Sequence, residues 1–164
     1  MSTVQVGKII EVTQHPFGKG ALTADGVQWS AEAVSTTNAY KLVEGVTVDE
    51  IGSVGGPGAE GTIIEAEFSI TWAQKCDGVT DSAVGKVQAR NKGGTWVDLM
   101  TEVTNTTAGT TYEEKTYSGR FKPETNFNKY PFDIQVLVKS NGTTNNGVGK
   151  TKNSSYVMAK YKIA

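Results

Sequence analysis

The sequence predicts an all-β protein: an antiparallel β-sandwich of Ig-like or jelly-roll type, preceded by an N-terminal arm or hairpin and a Gly-rich linker. Three observations carry this expectation. From residue 62 onward, short segments alternate apolar and polar residues with period 2, the mark of strands with one buried face. Turns rich in Gly, Asn and Thr separate them, and the chain holds 19 Gly against 4 Pro, a balance suited to tight turns. No stretch of helical period competes with the strands.

The elements follow in order. Val4, Val6, Ile9, Ile10 and Val12 read as a first strand. A turn at residues 15–20 follows, and Asp25-Gly26 is a tight-turn signal for a hairpin between residues 21–23 and 27–29. Residues 40–43 and 46–48 read as one more strand. Residues 52–61 hold five glycines and one proline, a composition that reads as a linker. The chain therefore divides into an arm (1–51), a linker (52–61) and a sandwich domain (62–164). In the sandwich, Ile64, Ala66, Phe68, Ile70 and Trp72 alternate with Glu65, Glu67, Ser69 and Thr71 as a half-buried strand. Residues 86–100 read as a hairpin around Gly93-Gly94, with Trp72 and Trp96 in or near the core between the sheets. Tyr117 and Phe121 anchor the strand within residues 112–121. Phe132, Ile134, Val136 and Val138 mark a central strand, and Val157, Ala159, Tyr161 and Ile163 the last one. Residues 141–152 read as a long loop.

A chain of 164 residues is long enough to bury a core without disulfides, and its single cysteine, Cys76, allows no internal bridge. The net charge of -1 provides none of the basic excess that phosphate binding requires, so no nucleic acid is expected as partner. Lys150, Lys152, Lys160 and Lys162 read as a solvated strand face. No apolar run approaches the length of a membrane helix, and residues 1–8 lack the apolar core of a secretory signal. Synthesis and folding in a cytoplasm are expected. The Asn-X-Ser/Thr triplets at Asn105, Asn141 and Asn153 then reflect composition rather than glycosylation.

The residue inventory argues against most enzyme classes. One histidine, His15, and one cysteine cannot build a His/Cys zinc site, and no Gly-X-Ser-X-Gly elbow accompanies a triad. Gly147-Val-Gly-Lys-Thr151 resembles the end of a phosphate-binding loop, but Thr144 stands where its first glycine belongs and a strand follows instead of a helix. Glu65 and Glu67 share a strand face, as glycosidase carboxylates must converge, but the pattern turns them outward. Asp77 and Asp81 lie in a Gly-containing loop without EF-hand spacing. No catalytic residue, metal or cofactor is expected. The aromatics Trp29, Tyr40, Tyr112, Tyr117, Tyr130 and Tyr156 include candidates for a stacking surface, with Tyr156 foremost because alternation turns it away from Val157.

The runs at residues 87–99, 131–138 and 154–157 resemble those of small β-sandwich virion proteins of tailed phages and related viruses, some of which decorate or cement capsids. The resemblance covers residues 61–163. It implies a virion location, a capsid or other virion protein as partner, a homo-oligomeric state and binding by surface rather than motif. On that reading the arm docks on a neighbour through Leu22, Val27 and Trp29, with Tyr156 as a further contact. The alternative is a carbohydrate-binding or adhesive module, with a line of exposed aromatics that includes Tyr156.

Overall fold

The computed structural model describes residues 7–20, 26–49 and 60–163. Every regular element among them is a strand: β1 (Ile9–Gln14), β2 (Ala33–Val34), β3 (Lys41–Val48), β4 (Gly61–Cys76), β5 (Ala83–Asn91), β6 (Val97–Asp98), β7 (Val103–Thr104), β8 (Glu113–Phe121), β9 (Lys129–Tyr130), β10 (Phe132–Ser140), β11 (Gly147–Thr151) and β12 (Tyr156–Ile163). They form two antiparallel sheets packed as a sandwich. The seven-stranded sheet runs β1-β12-β4-β11-β2, with β8 and β9 also paired to β4. The five-stranded sheet runs β3-β10-β5-β6, with β7 also paired to β5.

Period 2 explains the core. Phe68, Ile70 and Trp72 of β4, with Val157, Ala159, Tyr161 and Ile163 of β12, face Val87 and Ala89 of β5 and Phe132, Ile134 and Val136 of β10. Phe127 enters from the loop before β9, with ring centroids 5.0 Å from Phe132 and 5.1 Å from Phe121. Tyr130 stacks on Tyr161 at 4.0 Å. Each such side chain contributes roughly 1.5–3 kcal/mol on burial, so this inter-sheet cluster dominates the stability of the fold.

The described part of residues 1–51 does not form a separate arm. β1 pairs with β12 from Ile9↔Lys162 to Gln14↔Val157, and β3 pairs with β10 from Phe132↔Val48 to Val138↔Lys41. Ile10, Val12 and Val48 belong to the buried core. Ile10, Val12 and Val48 thus complete the two sheets, while Val4 and Val6 of the expected first strand lie outside the described residues. The first half of the expected hairpin, residues 21–25, and most of the Gly-rich linker, residues 50–59, lie outside the described residues.

Three further expectations are corrected. Ile64 is 46% exposed, because a bulge opposite Lys160 and Tyr161 inserts one residue into β4, and Ile63 takes the inward place. Trp96 is only half-buried and lies on the outer side of the five-stranded sheet, its ring 4.1 Å from the Arg90 guanidinium. Trp72, by contrast, is fully buried. Finally, residues 147–151, read as loop, are β11, paired with β4 and β2. Its glycines are packing residues: a Cβ on Gly147 would stand 2.4 Å from the Lys139 backbone, and one on Gly149 2.9 Å from the Val43 side chain.

Candidate functional site

The residues that could carry chemistry are held apart or already engaged. His15 packs beside Tyr156, with ring centroids 6.3 Å apart. Cys76 is buried, and that burial pushes its thiol up, with Ser140 partly opposing and Asp81 and Asp77 adding to the shift. It is a poor thiolate. Asp81 accepts backbone N–H groups of Thr144 at 2.9 Å and Asn145 at 2.7 Å, and these bonds hold its carboxyl below the usual range. Asp77 caps Asn146 in the same loop. Both aspartates therefore serve loop geometry. Among the described residues no three His, Cys, Asp or Glu side chains gather as a metal site. Glu65 and Glu67 point outward as expected and flank Arg120 at 3.3 and 4.0 Å. The loop-like glycine motif lies within β11, with no helix after it.

Leu22 lies outside the described residues. Val27 and Trp29 lie along the chain's own seven-stranded sheet. Asn153 donates its N–H to the Gln28 carbonyl, Ser30 donates to that of Thr151, and Trp29 bridges to Lys152. The Trp29 ring sits beneath Lys150 and Lys152, whose ammonium groups are 4.7 and 5.4 Å from its centroid. Lys150 also lies 4.5 Å from the Tyr112 ring, beside Lys75. Tyr156 is on the same outer face but in a different setting: its hydroxyl bonds Glu67 at 3.2 Å, and that charge holds the phenol up. Trp29 and Tyr156 thus stand on one outer face in separate settings.

The outer face of the five-stranded sheet carries a more organised surface, which the sequence reading missed. Register puts Thr47, Asp133 and Arg90 in one row and Gln135, Gln88 and Asp98 in the next. Thr47 donates to Asp133 Oδ1 at 2.7 Å, and Arg90 Nε donates to Oδ2 at 2.7 Å. Gly93 adds a backbone N–H at 3.0 Å. Burial pushes the Asp133 carboxyl up, but these donors outweigh it and the net shift is downward. Gln135 Nε2 donates to Gln88 Oε1 and Gln88 Nε2 to Asp98 Oδ1, each at 2.8 Å. Lys86 pairs with the same Asp98 oxygen at 3.1 Å. Beyond it, the Tyr40 ring lies beneath Lys86 and Lys139, and its hydroxyl donates to Glu102. A shallow groove of ≈ 350 Å³ lies between Trp96, Arg90, Asp133, Gln135, Gly45 and Leu42. The polar alternation of Lys86, Gln88, Arg90 and of Asp133, Gln135 was a readable outward signal. The pairing that joins them was not, because it depends on register between strands distant in sequence.

Three long strand edges also stand open among the described residues: β1, paired only with β12, β3, paired only with β10, and β8, paired only with β4. β8 carries Glu114, Lys115 and Arg120, charges that oppose pairing with another chain. β3 lies against β2, and here Leu42 and Val34 are 47% and 50% exposed.

No protein-family model matches the chain, and no curated protein matches it in sequence. Solved structures match at the level of shape. VP2 of infectious bursal disease virus in a subviral particle is 6% identical, with TM-score 0.46, over 96% of this chain and 38% of that one. The Gt strain of the same virus gives 8% identity and TM-score 0.46 over 83% of this chain and 33% of that one. The CBM22-1 xylan-binding domain of Paenibacillus barcinonensis Xyn10C gives 12% identity and TM-score 0.39 over 98% and 99%. The chain spans about a third of the length of these viral chains. The viral neighbours named are not tailed-phage proteins, and at these identities and scores no functional argument rests on any of the three.

Proposed function

We propose that the chain is a non-enzymatic virion structural protein of the decoration or cement kind, docking on a capsid or other virion protein as a homo-oligomer. The observation that supports this reading is the open edge of β3 beside β2. An edge strand presents unpaired backbone N–H and C=O groups and so acts as a template for a strand from another chain. Here the edge is eight residues long, with exposed Leu42 and Val34 at its side. Of the other long edges, β1 is shorter, at six residues, and β8 carries Glu113, Glu114, Lys115 and Arg120 against Lys41 and Glu44 on β3. The scattered and engaged titratable groups agree with a protein that works by its surface. The docking face therefore moves from the expected arm to the β2/β3 edge, with Trp29 and Tyr156 on the opposite sheet as secondary contacts.

The test is sedimentation. The full chain is expected to self-associate and to co-sediment with capsids of its virus. Val34→Lys, a change at an exposed position, is expected to weaken both while leaving the fold intact. A chain that stays monomeric and never sediments with capsids refutes the proposal.

A further inference from the structure

The outer face of the five-stranded sheet combines features that point to a ligand. It offers an aromatic ring, planar polar side chains in fixed positions, and a floor at Gly45 over which the Leu42 and Gln135 side chains close, Leu42 Cδ1 lying 3.3 Å from where a Cβ would stand. From these we infer that the Trp96 groove is a binding site for a neutral saccharide. The groove shares Leu42 with the β3 edge, but the inference does not rest on the assembly reading.

The chemistry runs as follows. A pyranose ring presents one face of C–H bonds, which pack on an aromatic ring, and an equator of hydroxyls, each both donor and acceptor. Trp96 supplies the ring, and Arg90, 4.1 Å from it, holds it against the sheet. The polar groups use one end to fix each other and leave the other end unengaged. Arg90 uses Nε on Asp133 and Nη1 on the Gly94 carbonyl, leaving Nη2. Gln135 donates through Nε2 to Gln88, leaving Oε1. Asp98 accepts Gln88 and Lys86 at Oδ1, leaving Oδ2. A donor and two acceptors are thus held by bonds already made, which lowers the entropy lost on binding.

Charge selects the class. The charged side chains that line the Trp96 groove are Arg90 and Asp133, which pair at 2.7 Å and whose formal charges sum to zero. A polyanion gains nothing net from such a surface, whereas a hydroxyl-rich neutral ligand finds paired donors and acceptors. A second concavity, bounded by Lys86, Asp98, Met100 and Glu102, continues the face toward Tyr40. From Arg90 to Lys86 the strand advances roughly 13 Å at about 3.3 Å per residue, which favours a chain of sugars over a single ring.

Affinity gel electrophoresis of the full chain tests this, with gels containing galactomannan, xylan, mixed-linkage β-glucan or, as charged control, polygalacturonate. At least one neutral polysaccharide is expected to retard the protein. Trp96→Ala and Gln135→Ala are each expected to weaken that retardation at least tenfold. Lys160→Ala, on the outer face of the opposite sheet, is expected to leave it unchanged. Near-ultraviolet circular dichroism confirms that the variants fold. The inference is overturned if no neutral polysaccharide retards the protein or if only polygalacturonate does. It is equally overturned if retardation persists in both Trp96→Ala and Gln135→Ala.

Discussion

Gln74 is fully buried on the inner face of β4 and joins the two sheets through hydrogen bonds. Its Oε1 accepts the Trp72 indole N–H at 2.8 Å. Its Nε2 donates to the carbonyls of Ala83 and Val103 and to Asn105 Oδ1, at 3.2, 3.1 and 2.9 Å. Asn105 returns a bond from Nδ2 to the Gln74 carbonyl at 2.9 Å. Gln74→Leu keeps nearly the same volume and removes every side-chain bond. The Ala83 carbonyl retains the Asn105 N–H at 2.8 Å. The Trp72 N–H and Asn105 Oδ1 lose the partners that serve them. An orphaned buried polar group costs about 1–3 kcal/mol, so the variant should lose about 4 kcal/mol. In a chain of this size each kcal/mol shifts Tm by roughly 2–4 °C, so a fall of about 10 °C is expected. Urea unfolding followed by tryptophan fluorescence measures the loss, and calorimetry the Tm. The double variant Gln74→Leu/Asn105→Ala should lose less than the sum of the singles, because the two residues serve each other. A single-variant loss below about 1 kcal/mol, or strict additivity in the double variant, would refute the assignment of this network as an inter-sheet staple.

Other expectations follow from the same structure. Gly147→Ala drives a Cβ into the Lys139 backbone and should cost about 3 kcal/mol by urea unfolding, whereas Gly149→Ala meets side chains that can yield and should cost about 1–2 kcal/mol. Trp96→Ala should cost less than about 1 kcal/mol, the size of an exposed cation–π contact, while Trp72→Ala should cost about 3–5 kcal/mol. Burial pushes the Glu113 carboxyl up, but Lys115 and the Thr106 and Thr107 N–H groups outweigh this and bring it from 4.5 down to about 2. A depressed carboxyl stabilises the fold above its unfolded pKa, and that contribution is lost as pH falls through the window from 4.5 to about 2. Glu113→Gln should therefore flatten the acid limb of a stability-versus-pH curve across that window, and an unchanged limb would contradict the ion pair's role.

The parts of the fold legible in the sequence are those governed by period 2 alone. The inward rows of β4, β10 and β12 were readable because Phe68, Ile70, Trp72, Ile134, Val136, Val157 and Ala159 sit at alternate positions with polar residues between most of them. The errors share one cause, which is that pairing is non-local. Nothing near Ile64 announces the bulge, since the displaced register lies on β12, almost a hundred residues away. Glycines at 147 and 149 look like loop until Lys139, Val138 and Val43 are placed against them. Ile10, Val12 and Val48 were recognised as strand residues, yet their partners on β12 and β10 come more than eighty residues later. The candidate site follows the same rule. The outward set Lys86, Gln88 and Arg90 was readable from the hairpin, but its meeting with Asp133 and Gln135 required the β5–β10 register. Trp96, expected in or near the core, stands instead on the outer side with its ring 4.1 Å from the Arg90 guanidinium.

The central claim is that this sandwich works by adding a partner strand to the edge of β3. Amide hydrogen exchange, compared between dilute protein and protein bound to capsids of its virus, addresses it directly. The account predicts that binding slows exchange along Lys41–Val48 while the amides of the charged edge strand β8 stay as they were. Unchanged exchange along β3 in the bound protein, or protection that appears at β8 instead, would contradict it.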